Sequence, residues 1–346
     1  MSQHEPDHQK SQMKRWRYSH PRAVRLLALL LVLVLLTVMD FCLRTIGQSG
    51  IQCSAVSSAN GSPMPCTQST KERVVIYLPG VMADATISAV PIIKAWLQYG
   101  DVQLINYIGD RFFTGAVANQ VSGLLLRDLE TYKRVDIYAE SFGGFIAAAA
   151  LAELGDKVSP AQRGRMRIIL GDCPSGRETI KGPVRLAPWF YPGPIANVLA
   201  DGAFGLVHVV GKVLFGTPGP IYWSWSSASS KPKQIEAGVD ETAMKEFQRS
   251  VSAGAALSTF ADQLRYMATT TIDLSGFHDI DLVYIMNQEE FDQVVLQPKA
   301  AQDWIQLANN ANVKMRVVPL NFASNHSDYS AWPSAWSELF ATLLAG

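Results

Sequence analysis

Val135-Asp136-Ile137-Tyr138-Ala139-Glu140-Ser141-Phe142-Gly143-Gly144 runs from an apolar, β-branched segment into two glycines and then into the alanine-rich stretch Phe145–Leu154. A buried strand is predicted over Val135–Ala139 and a helix over Phe142–Leu154, closed by Gly155. Between them, small residues two positions either side of Ser141 let strand and helix backbones approach closely, which lifts the hydroxyl to the top edge of a sheet. The alternative is a glycine-rich helix start with Ser141 as its N-cap. Outward from this point the same rhythm recurs. Strands are expected at Val74–Leu78, Val102–Tyr107, Arg167–Leu170, Leu282–Met286 and Val313–Leu320, and helices at Ala89–Gln98, about Val117–Tyr132 and Trp332–Leu344. Strands alternating with helices of this length mean crossover units and a mainly parallel sheet.

Three further pieces carry chemistry. Leu78-Pro79-Gly80-Val81-Met82 ends the first clear strand, where the N–H of Val81, with that of Phe142, is placed to hold a developing oxyanion; a plain Pro-Gly turn is the other reading. Of six histidines, His4, His8 and His20 lie in the leader. His208 sits in an apolar stretch and His278 beside Asp279 before a strand, whereas His326, in Asn325-His326-Ser327-Asp328-Tyr329, occupies a polar loop after the last strand and is the expected general base. The acid is expected in Glu289-Glu290-Phe291-Asp292-Gln293-Val294-Val295, as Asp292, with Glu290 the alternative. A carboxylate there would fix the imidazole tautomer. Cys173, after an apolar strand, reads as a buried small residue.

Together these residues resemble the α/β-hydrolase superfamily, in its lidded branch of serine esterases, lipases and related carbon–carbon bond hydrolases. The resemblance rests on LPGV at 78–81, YAESFGG at 138–144, DQVV at 292–295 and the run from His326 to Trp336, and covers about 74–173 and 277–346. It departs at Ala139, where glycine is commoner, and at Pro79, where a histidine often precedes the glycine. The resemblance implies an α/β fold of the α/β-hydrolase type, a mainly parallel sheet with helices on both faces and an inserted cap. It also implies the chain order Ser141, Asp292, His326. The expected activity is cleavage of an ester or thioester of a small apolar or lipid-like substrate through an acyl-enzyme. A carbon–carbon bond hydrolase using the same three residues, or a non-catalytic binding protein of this fold, are the alternatives. No metal, nucleotide or flavin is called for, since paired Cys-x-x-Cys and a phosphate-binding lysine loop are missing from the sequence.

Of the 346 residues, 48% are hydrophobic and 17% charged, against about 25% charged in ordinary soluble chains. This suits a large core and excludes an extended disordered protein. The net charge is zero but uneven: residues 1–25 carry six Lys/Arg against Glu5 and Asp7, and the remainder sums to −4. A mildly acidic folded part has no footprint for nucleic acid, and no obligate protein partner is implied. Residues 1–25 read as a basic leader and 26–43 as a membrane anchor or signal segment, with Leu26–Met39 free of charge. The expected topology is a single pass with the N-terminus cytoplasmic and the hydrolase domain on the far side, or secretion after cleavage. Residues 44–73, rich in Ser and Gly, read as a flexible linker in which Cys53 and Cys66 are either disulfide-bonded or free. The hydrolase domain is expected over 74–346, with a cap at about 174–276 whose aromatics, Trp189 to Trp225, either roof a substrate or fill the cap's own core.

Overall fold

The computed structural model describes residues 49–56, 63–66, 72–81, 85, 89–109, 112–181, 257–324, 326–327, 329 and 332–345, with scattered helical residues between 25 and 38. Its centre is an eight-stranded sheet of β1 (Ser49–Val56), β2 (Pro63–Pro65), β3 (Arg73–Leu78), β4 (Asp101–Gly109), β5 (Arg134–Glu140), β6 (Met166–Gly171), β7 (Asp281–Met286) and β8 (Met315–Pro319). The order across the sheet is β2-β1-β4-β3-β5-β6-β7-β8. Strands β3 to β8 run parallel, while β1 pairs antiparallel with β4 and β2 antiparallel with β1.

The central strands carry apolar side chains on both faces because both faces are covered. Their side chains alternate between two cores. Val74, Ile76, Val135, Ile137, Ile168 and Leu282 enter one, beneath α2 (Thr114–Thr131), α3 (Gly143–Leu154) and α6 (Gln297–Asn310). Val75, Tyr77, Tyr138, Ile169 and Val283 enter the other, beneath α1 (Val90–Leu97) and α7 (Pro333–Ala345). In the second core Trp96 of α1 meets Phe340 of α7 edge-on at 5.3 Å. A short α4 (Pro160–Arg163), the helix α5 (Leu257–Thr269) and three single-turn 3-10 helices are also described. The last carbonyls of α7 are held from below: Arg73 of β3 donates to Leu344 O and Arg167 of β6 to Leu343 O.

Two expectations are corrected. Residues 44–73 are not simply a linker: β1 pairs along its whole length with β4, from Ser49↔Gly109 to Val56↔Val102. Cys53 of β1 is disulfide-bonded to Cys66, just after β2. The strand was hidden because Ser, Gly and Gln, poor strand formers, fill half of its positions, and its pairing with β4 supplies what propensity does not. The single-pass membrane segment is also overturned. Among the described residues no helix is long and apolar enough to cross a membrane. The topology built on that segment, and the membrane contact it implied, fall with it.

The leader to residue 24 and cap residues 182–256, with His208 and the aromatics from Trp189 to Trp225, lie outside the described residues. The two ends of the cap segment are described. Residues 174–181 lie along the loop after β7, with Ile180 bridging Val295, and Tyr266 of α5 packs edge-on against Phe142 and Phe145.

Candidate active site

Ser141 follows β5 directly and is itself still tied to the sheet, its N–H donating to Gly171 O at 2.8 Å. Its φ of +49° lies in the left-handed region, so the chain turns sharply there before α3 begins. The turn depends on Gly143: a Cβ at that residue would stand 2.2 Å from Leu78 O of β3. Gly80 closes the other side, where a Cβ would meet Ser141 Cβ at 3.2 Å. The peptide leading from Gly80 to Val81 therefore passes beside the Ser141 side chain. Phe142, buried, precedes the first turn of α3, whose leading N–H groups have no acceptor within the helix.

His326 Nε2 lies 3.0 Å from Ser141 Oγ, and its Nδ1 lies 3.2 Å from both carboxylate oxygens of Asp292. Asp292 is buried in the loop between β7 and α6. Its Oδ1 accepts the N–H groups of Val294 (2.8 Å) and Val295 (2.9 Å), and its Oδ2 accepts Gln297 Nε2. This is the physical content of the Asp-x-Val-Val pattern: the two residues after the spacer turn their amides back onto the carboxylate. Lys181 holds the same loop from outside, its Nζ donating to Glu289 O at 2.7 Å and Asp292 O at 2.9 Å. Glu290, by contrast, is exposed. His278 lies exposed in a turn before β7, and Cys173 is buried with its Sγ donating to Ala139 O.

The structure therefore brings Ser141, His326 and Asp292 into one line and leaves Glu290 and His278 outside it. Burial alone would lower the His326 pKa, but the charge and hydrogen bond of Asp292, with Asp172 and Glu140 adding, push it up to about 9. Burial likewise opposes ionisation of Asp292, yet the His326 charge and the donors around it hold its carboxyl below the usual value.

Two buried acids of the site were not singled out from the sequence. Glu140 immediately precedes Ser141 and accepts hydrogen bonds from Tyr77 OH and, at 2.8 Å, Tyr329 OH. Tyr329 OH in turn lies 2.7 Å from Tyr138 OH. Burial raises the Glu140 pKa. Asp172, directly after β6, accepts Ser327 N–H at 2.9 Å and Gln297 Nε2 at 3.1 Å. The signal for both was position alone: each is an acid at the carboxyl end of a central strand, the edge where sites form in such sheets.

No protein-family model and no curated protein sequence matches the chain. Solved structures do. A bromoperoxidase from Bacillus anthracis is 14% identical over 86% of this chain and 95% of its own, with a TM-score of 0.50. A lipase-esterase related protein from Clostridium acetobutylicum is 9% identical over 84% of this chain and 98% of its own, with a TM-score of 0.49. A meta-cleavage product hydrolase from Pseudomonas fluorescens is 16% identical over 85% and 94%, with a TM-score of 0.43. At these identities the likeness is one of fold.

Proposed function

We propose that this chain, which has the α/β-hydrolase fold, is a serine hydrolase that cleaves an ester or thioester through an acyl-enzyme. The observation that carries the reading is the unbroken run of hydrogen-bonding distances from Ser141 Oγ through His326 to Asp292. In the proposed reaction Ser141 Oγ attacks the substrate carbonyl carbon while its proton passes to His326 Nε2. The carbonyl π pair moves onto oxygen, where the N–H groups of Val81 and Phe142 receive the charge. Losing one such donor typically costs ~3 kcal/mol of barrier. The imidazolium forms against Asp292, which stabilises it and keeps the Nδ1–H tautomer. Collapse of the tetrahedral intermediate expels the alcohol or thiol with the proton from His326. Water, deprotonated by the same imidazole, then releases the acid and restores Ser141.

A small apolar or lipid-like acyl group is the proposed substrate class, on the aromatic content of the sequence from Trp189 to Trp225. In this proposal the cap at about 174–276 sets that choice within a hydrolase domain spanning 74–346. The test is covalent labelling by a fluorophosphonate probe. Labelling of the wild-type chain that disappears in Ser141→Ala is the expected result; folded wild-type protein that takes up no probe rejects the reading. Turnover of p-nitrophenyl esters of graded length then reports the acyl preference.

A further inference from the structure

The carboxyl of Asp172 has no part in the reaction just described, yet it is built into the same cluster. It lies at the end of β6, 2% exposed, in a left-handed backbone conformation with φ +50°. A non-glycine residue held there signals a constraint imposed by its surroundings. Its Oδ2 accepts the N–H of Ser327, the residue after His326, at 2.9 Å. Its Oδ1 accepts Gln297 Nε2 at 3.1 Å, and the same amide nitrogen donates to Asp292. Gln297 is itself fixed: its Oε1 accepts Tyr284 OH at 3.2 Å and Asn287 N–H at 3.3 Å. One oxygen each of Asp172 and Asp292 and one ring nitrogen of His326 all lie within 4.8 Å of one another.

Such a trio has the composition of a cation site, but its oxygens are otherwise engaged. All four carboxylate oxygens of the pair already accept an N–H. The cluster is organised to receive donors, with an amide NH2 shared between two carboxyl groups.

We infer that Asp172 is a positioning residue of this site, holding the histidine loop to the end of β6 through Ser327 and setting a second carboxyl charge beside the His326–Asp292 pair. The inference rests on the acyl-transfer reading above. Mechanically, Ser327 has φ +55°, so the loop turns sharply just past His326, and the Asp172 contact fixes that turn. Electrostatically, an ionised Asp172 favours the imidazolium and raises the pH at which His326 becomes a base. The groups that face Asp172 are Asp292 and His326 in the two loops, Tyr138 and Glu140 on β5, Tyr284 on β7 and its neighbour Cys173. Burial, then the Asp292 charge, push Asp172 up to about 7.

The test compares Asp172→Asn with Asp172→Ala in the full chain, using p-nitrophenyl butyrate turnover and the NMR titration of the His326 ring. Asp172→Ala loses the Ser327 acceptor, and kcat is expected to fall tens of times or more, toward the roughly hundredfold typical of misplaced groups, with KM little changed. Asp172→Asn keeps an oxygen for Ser327 N–H, so most of the rate is expected to return. Its acid limb of kcat and the His326 titration should both move to lower pH, by roughly one unit. Wild-type kcat and an unshifted profile in both folded variants overturn the inference. Should Asp172→Ala fail to fold, an unshifted His326 titration in Asp172→Asn is sufficient to overturn it. The ring titration needs no turnover: a wild-type chain inert to fluorophosphonate rejects the hydrolase reading, while the His326 shift still decides the link to Asp172.

Discussion

Asp292 is buried and accepts four donors, whereas Glu290 two residues earlier faces solvent. Asp292→Asn is therefore expected to lower kcat by orders of magnitude, as wrong-tautomer variants do. Glu290→Gln should leave it within about twofold, as for surface changes generally; steady-state kinetics with a p-nitrophenyl ester separates the two, and the reverse ranking sinks the assignment. The pH profile follows from the imidazole. A general base must be unprotonated, and with His326 pushed up to about 9 its base form accumulates only on the alkaline side. kcat/KM should accordingly climb from pH 7 to about 9, and a flat profile there contradicts the electrostatics of the pair. Ser141, His326 and Asp292 were legible in the sequence because each sits in a local pattern with its own signature. Asp172 and Gln297 were not, because Gly-Asp-Cys-Pro reads as a turn and Gln-Pro as a helix start. Their roles exist only once β6 and β7 lie side by side and bring the two loops together.

The elbow between β5 and α3 works only if α3 can lie against the end of β3. Gly143→Ala would press a methyl into Leu78 O, so the helix must shift or the turn must open. The expected outcome is a loss of several kcal/mol in urea unfolding, in the range of overpacked sites, together with loss of fluorophosphonate labelling. At the far side of the sheet the disulfide closes a loop across β1 and β2 with a sequence separation of 13 residues. Cys53→Ser with Cys66→Ser is expected to cost roughly 2–4 kcal/mol. Labelling at Ser141 should persist, since β4 and β3 stand between β1 and β5. The central strands and their helices were readable from continuous apolar runs and 3.6-residue spacing. β1 and β2 were not, because strands at the rim of a sheet need no such run: Ser-Gly-Ile-Gln-Cys-Ser-Ala-Val, between β2 and β4, is held by its partners and the disulfide rather than by its own composition.

Across the molecule, several buried groups hold protons that an unfolded chain would release. Burial raises Asp128 to about 6 and Asp172 to about 7, while the acids around His326 raise it to about 9. For each, the contribution to stability is complete below the unfolded pKa and is lost as pH rises through the folded one. Asp292, held low, has the opposite sign and loses its contribution as pH falls below the usual carboxylate range. Thermal unfolding midpoints should therefore be highest in mildly acidic buffer and decline steadily toward pH 9. Asp128→Asn should reduce the slope between about 4 and 6, leaving there the share of Asp172, and leave the slope above 6 unchanged; an upward trend toward alkaline pH contradicts this balance. Arg73 and Arg167 grip carbonyls in the last turn of α7 and tie that helix to two strands of the sheet. Exopeptidase trimming past Leu343 would strand the Arg167 guanidinium, whose side chain is only 6% exposed, with Asp281 as its remaining counterion. A purification handle appended after Gly346 keeps both carbonyls in place, while a chain clipped back to Thr342 would loosen two strands of the sheet from their cover.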